Sequence, residues 1–144
     1  MVNAIDKAWK RYDAQMPFYE HIRDEVMAIA GKAGLSPRQL IKLELGFEEI
    51  LVNIISYAYD DPGYVWVKAT REGDAFRLEF VDHGKAFDPL EKDRRPVENV
   101  PLEERKPGGY GIFLVKKNFT LVKYNYEEMF GKMANHLIME LPVV

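Results

Sequence analysis

Two polar residues stand one turn apart in a stretch otherwise suited to burial. Residues 46–59 read GFEEILVNIISYAY, with Glu49, Asn53 and Tyr57 recurring every fourth position. On a helix that spacing puts all three on one stripe. A carboxylate there can orient or deprotonate a nucleophile. A carboxamide oxygen is a hard ligand suited to Mg²⁺, an ion that keeps several waters and binds substrate phosphates. Gly46 projects onto the same stripe, so that face is expected to be small and open at its start. The plainer alternative is that Glu49 and Asn53 face solvent or bond to loops, as most buried polar groups are simply satisfied.

Two further stretches carry chemistry. In FVDHGKAFDP, Asp82 ends an apolar run and Gly84 follows at the turn. An aspartate at a strand end accepts hydrogen bonds in a fixed direction, as an exocyclic amine requires. Gly84 lets the backbone approach a flat ligand, and Phe87 is expected to pack the start of the loop beyond. In KPGGYGIFLVKK, Gly108, Gly109 and Gly111, with Tyr110 among them, lead into an amphipathic helix. Free N–H groups and the helix dipole make such an end an anion site. No Gly-Lys-Ser or Gly-Lys-Thr follows, and no strand directly precedes it, so it is neither a Walker A loop nor the dinucleotide fingerprint. Taken singly, Asp-x-Gly also reads as a turn and the glycine cluster as a hinge. His21, His83 and His136 lack metal-ligand spacing. Arg94, Arg95, Arg105 and Lys106 are expected to form a solvated face, from which one could contact phosphate.

These residues need elements to hold them. Residues 4–13 allow either a short helix or an edge strand. Pro17 suits a helix start, Ile22, Val26 and Ile29 have helical spacing, and Gly31 and Gly34 are natural stops. Ser36 and Pro37 open a second helix, whose apolar face is Leu43, Phe47, Ile50, Ile54 and Ala58. A hairpin follows, with Val65 and Val67 on one strand and Phe76, Leu78 and Phe80 on the other, around the turn REGD. Residues 85–109 form a long charged loop, read as a lid. A glycine-opened helix and a second hairpin, with its return strand at residues 136–141, complete the chain. The order predicts an α+β two-layer sandwich: a mixed, mainly antiparallel sheet with helices on one face. Residues 1–144 are expected to form one domain.

Composition narrows the function classes. The chain has 144 residues, a formal charge of −3 and 47% hydrophobic residues. No basic excess points to direct nucleic-acid or anionic-membrane binding. With no cysteine, disulfides and thiol chemistry are excluded. No signal peptide or membrane-length apolar run is evident, so a cytoplasmic location is expected.

Jointly and in this order, the three stretches are more specific than any one alone. FEEILVNIISYAY, DHGKAFDPL, PLEERKPGGYGIFLVKK and the terminal VKYNYEE…NHLIMEL resemble the ATP-binding domain shared by gyrase, the heat-shock chaperone, histidine kinases and MutL, the GHKL superfamily. Within it the chain is similar to the anti-sigma-factor serine/threonine kinases, over residues 17–141. The resemblance implies the histidine kinase-like ATPase (Bergerat) fold, with ATP between the helices under a mobile lid. It implies Glu49 as general base, Asn53 as Mg²⁺ ligand, Asp82 as the adenine-binding aspartate and Gly84 as the glycine beside the base. It implies Gly108, Gly109 and Gly111 around the triphosphate, and nucleotide contacts from Phe87, Arg105 and Tyr110. Tyr57 stands where related kinases often have histidine. The implied partners are a sigma factor and a small anti-anti-sigma (STAS-type) protein, the latter phosphorylated. The first strand can contribute to a homodimer in this family. The alternative of the same fold is a non-catalytic module that binds ATP or ADP and switches partners.

Overall fold

The computed structural model describes residues 7–92 and 110–143. Of the ambiguous N-terminal stretch, residues 4–6 lie outside the described residues, and Trp9–Asp13 form the first strand, β1, at the sheet edge. A 3₁₀ turn over Met16–Phe18 contains Pro17, and helix α1 (Tyr19–Ala33) starts after it. Gly31 lies inside α1. Gly34 alone ends it, in the left-handed conformation at φ 100° that glycine adopts without strain.

Helix α2 (Pro37–Tyr57) has the expected start, made stronger by a reciprocal capping box. The Gln39 N–H donates to Ser36 Oγ at 3.3 Å, and the Ser36 N–H donates to Gln39 Oε1 at 3.1 Å. Strands β2 (Tyr64–Glu72) and β3 (Ala75–Asp82) form the expected hairpin, turning at Gly73 with φ 64°. Helix α3 (Tyr110–Asn118) leads into β4 (Leu121–Met129) and β5 (Lys132–Pro142). The return strand is longer than the predicted residues 136–141. Its turn uses Phe130 and Gly131, both at positive φ, 56° and 90°, the geometry that matches strand twist in tight hairpins. Phe130 adopts it while its ring stacks on Trp66, with centroids 4.8 Å apart.

The sheet order is β1-β2-β3-β5-β4, and all four pairings are antiparallel. The mainly antiparallel expectation therefore holds, with no parallel pair among the described residues. The period-two apolar positions face the helices. Phe76, Leu78 and Phe80 of β3 are buried, as are Leu137, Met139 and Leu141 of β5. Phe47 of α2 sits between Tyr19 of α1 and Phe80, each 5.7 Å away by ring centroid. The core thus clamps α2 onto β3 and β5, the two strands that present Asp82 and Asn135. No helix among the described residues is long and apolar enough to cross a membrane.

Candidate functional site

The helical stripe behaves in part as expected. Asn53 Nδ2 donates to Glu49 Oε2 at 3.0 Å, one turn along α2. A carboxylate only accepts, so the amide nitrogen must face it. Asn53 Oδ1 then has no partner among the described residues. Gly46 departs from expectation, because its face is closed. A Cβ there would lie 2.5 Å from the Phe119 ring, which covers the start of the stripe. Tyr57 is 79% exposed and stands at the rim.

Asn53 lines a cavity of about 250 Å³ between α2 and the sheet. Its walls are Ile50 and Ile54 of α2, Phe80 of β3 and Leu137 of β5, with Phe87 and Tyr57 near solvent. Apolar walls carrying a few convergent polar groups are the usual make-up of a small-molecule site. Asp82 and Asn135 are the buried polar groups in this one. Asp82 Oδ1 accepts from the Gly84 N–H at 2.8 Å and from Asn135 Nδ2 at 2.9 Å. Oδ2 has no partner among the described residues. Burial pushes the Asp82 carboxyl above the ordinary aspartate range, while the Asn135 and Gly84 donors pull it back.

Asn135 was not among the residues expected from sequence. Besides Asp82, its Nδ2 contacts the carbonyls of Gly84 at 3.3 Å and Lys85 at 2.8 Å. Its Oδ1 accepts from the Phe87 N–H at 2.9 Å and from the Tyr124 hydroxyl. One buried carboxamide thus secures the turn from Asp82 to Phe87. The only sequence signal was an asparagine inside the alternating strand NHLIMEL.

Gly84 and Gly111 both stand where a side chain would collide with a neighbour. Gly84 does not line the cavity. A Cβ there would lie 2.4 Å from the Ala58 carbonyl oxygen, so glycine lets the end of β3 meet the end of α2. Gly111 lies against Glu49, where a Cβ would fall 1.6 Å from Oε1. Both line a groove of about 390 Å³ between α2 and α3, and Asn53 borders this groove as well as the cavity. Arg105, Gly108 and Gly109 lie outside the described residues, as do Arg94, Arg95 and Lys106. The side chain of Tyr110 does too. Of the histidines, His83 turns away from the cavity. Its N–H donates to the Tyr59 hydroxyl at 2.7 Å, its Nε2 meets the Met129 carbonyl at 2.8 Å, and its ring lies 4.6 Å from Trp66. No group of three or more acidic or histidine side chains that could hold a metal occurs among the described residues.

Comparison with known proteins adds a family and relatives. A family model described as a histidine kinase-like ATPase domain matches residues 16–140. The serine-protein kinase RsbW of Halalkalibacterium halodurans is 25% identical over 105 residues, 71% of this chain and 65% of that protein. The serine-protein kinase RsbW of Oceanobacillus iheyensis is 27% identical over 103 residues, 67% of this chain and 65% of that protein. An anti-sigma F factor of Thermoanaerobacter pseudethanolicus is 26% identical over 87 residues, 60% of this chain and 61% of that protein. The chain therefore spans slightly under two thirds of the length of these relatives.

Proposed function

The chain belongs to the histidine kinase-like ATPase family, and from that premise we propose that it is an ATP- and Mg²⁺-dependent protein serine/threonine kinase of the anti-sigma-factor type. The observation that carries this is the unpaired Oδ2 of Asp82, a buried acceptor in an apolar-walled cavity that Asn53 also lines. A buried acceptor without a partner is costly unless a ligand supplies a donor. The 6-amino group of adenine is such a donor, and the apolar walls suit the faces of its ring.

The donor set also fits a metal. Asn53 Oδ1 is a neutral hard oxygen left without a partner by the Glu49 contact. Asn53 would hold Mg²⁺ through that atom. Bound there, the ion would neutralise charge on the phosphates. Glu49 is the proton acceptor: as a serine or threonine hydroxyl oxygen bonds to the γ-phosphorus, the bond to the ADP oxygen breaks and the hydroxyl proton passes to Glu49. Phosphoryl transfer depends mainly on such positioning and charge stabilisation. Gly111 gives Glu49 room to sit at the first turn of α3. Gly108, Gly109, Tyr110 and Arg105 complete the phosphate side of this reading, with Phe87 and Tyr57 at the rim. It takes residues 1–144 as one ATP-binding domain.

The relatives named serine-protein kinase and anti-sigma F factor support the partner assignment. The proposed partners are a sigma factor, which is sequestered, and a STAS-type anti-anti-sigma protein, which receives the phosphoryl group.

Calorimetry of ATP with and without Mg²⁺ tests the site. Wild type is expected to bind with Mg²⁺ dependence, Asn53→Ala to lose that dependence, and Asp82→Asn to bind ATP ~10–100-fold more weakly, the usual cost of a hydrogen bond to a charged group. No binding by wild type in any condition overturns the reading. Labelled ATP with a STAS-type protein then separates kinase from binding module: label must reach a serine or threonine.

A further inference from the structure

The Asp82 carboxylate is held only in part by its own segment, through the Gly84 N–H. Its pairing partner across the sheet, Asn135 of β5, supplies one of the two hydrogen bonds to Oδ1. We propose that Asn135 is the positioning residue that makes this pocket discriminate 6-amino from 6-oxo purines, by keeping Oδ2 of Asp82 a bare acceptor. This rests on the reading of the cavity as a purine site.

The orientation of Asn135 is settled by its neighbours. The Phe87 N–H and the Tyr124 hydroxyl both donate to Oδ1, so the amide nitrogen must face Asp82. A flipped amide would set its oxygen against the carboxylate and the carbonyls of Gly84 and Lys85. Both Asp82 donors point at the same oxygen, leaving Oδ2 to meet a ligand.

An ionised Oδ2 accepts from a 6-amino group and repels a 6-oxo oxygen. A protonated Oδ2 does the reverse, because its hydrogen can be donated to the oxo group. Burial already favours the protonated form, and Asn135 opposes it. Removing Asn135 takes away a donor that favours the ionised form, so the preference for the 6-amino base should weaken, and most toward low pH. Sites built around a hydrogen bond discriminate far better than apolar ones, so the loss should be large.

The experiment is binding of ATP and ITP, with Mg²⁺, to wild type, Asn135→Ala, Asn135→Thr and Tyr124→Phe between pH 5.5 and about 8 (a range set by typical protein working conditions). The wild-type preference for ATP should be the largest and change least with pH. In Asn135→Ala it should fall by at least ~10-fold, with ITP binding gained as pH drops. Asn135→Thr, whose hydroxyl returns one donor, should recover part of it. Tyr124→Phe loosens the amide without emptying the core, and should shift the preference in the same direction if Asn135→Ala does not fold. Equal weakening of ATP and ITP, or an unchanged preference in Tyr124→Phe and in any folded Asn135 variant, overturns the proposal and leaves the purine site standing. Failure of wild type to bind ATP overturns the site reading and this inference together.

Discussion

Asn53 Oδ1 is open to a ligand because Glu49 occupies the other end of the amide. One contact thus leaves the amide oxygen open, as the proposed metal role requires, and holds the carboxylate in place. Glu49→Gln separates them. A glutamine oxygen can still accept from Asn53 Nδ2, so the metal side survives, but an amide cannot take up the hydroxyl proton. Mg²⁺–ATP affinity is expected to stay within ~3-fold of wild type, a difference under about 1 kcal/mol. Transfer to the STAS-type protein should slow by ~10²–10⁴-fold. Single-turnover transfer at saturating ATP checks this, and an unchanged rate removes Glu49 as the base. Glu49, Asn53 and Asp82 are legible in the sequence because local periodicity places them, two by helical spacing and one at the end of an alternating strand. Asn135 is not legible in that way. Its meaning depends on the register that sets it opposite Asp82, 53 residues away along the chain.

At the scale of elements, the two site glycines separate structure from chemistry. Gly84 meets the backbone carbonyl of Ala58, which cannot swing aside without moving the end of α2. Gly111 meets the tip of the Glu49 side chain, which can. Gly84→Ala is therefore expected to destabilise the fold by about 1–3 kcal/mol, as overpacking does. Gly111→Ala should unfold close to wild type in urea yet transfer phosphate poorly, because the new methyl displaces Glu49. Paired denaturation and transfer assays read both, and equal stability losses in the two variants would refute the distinction. The helices were readable because caps and apolar stripes are local signals: Ser36 and Gly34 act where the sequence puts them. The early start of β5 and the closed face at Gly46 were not. The first needs Phe130 at positive φ, which its stacking on Trp66 accompanies, and the second needs Phe119 brought back from the far end of α3.

At the scale of the whole molecule, the sheet face away from the helices carries its own charge lock. His136 lies between two carboxylates on neighbouring strands, with Nε2 2.7 Å from Glu79 Oε1 and Nδ1 2.8 Å from Glu127 Oε2. A neutral imidazole has one N–H, so its other nitrogen would turn a lone pair toward a carboxylate. Only the imidazolium satisfies both contacts while the carboxylates stay charged. Burial lowers the His136 pKa, but the hydrogen bonds and charges of Glu79 and Glu127 outweigh it and leave it above 6.5. The sign follows from linkage. A histidine raised on folding stabilises fully below its unfolded pKa, and that contribution is lost as pH rises through the folded value. The buried Asp82 carboxyl is also raised, but from 3.8, so its contribution fades in a more acidic window. Wild type should therefore lose stability from about pH 6.5 upward. His136→Gln should be less stable by ~3 kcal/mol at pH 6, because Glu79 is left buried without its cation. The gap between the two should narrow as pH rises and wild type loses the same charge. Urea midpoints measured across this range decide it: parallel curves would mean that His136 holds no extra proton, and that the three strands are joined there by packing alone.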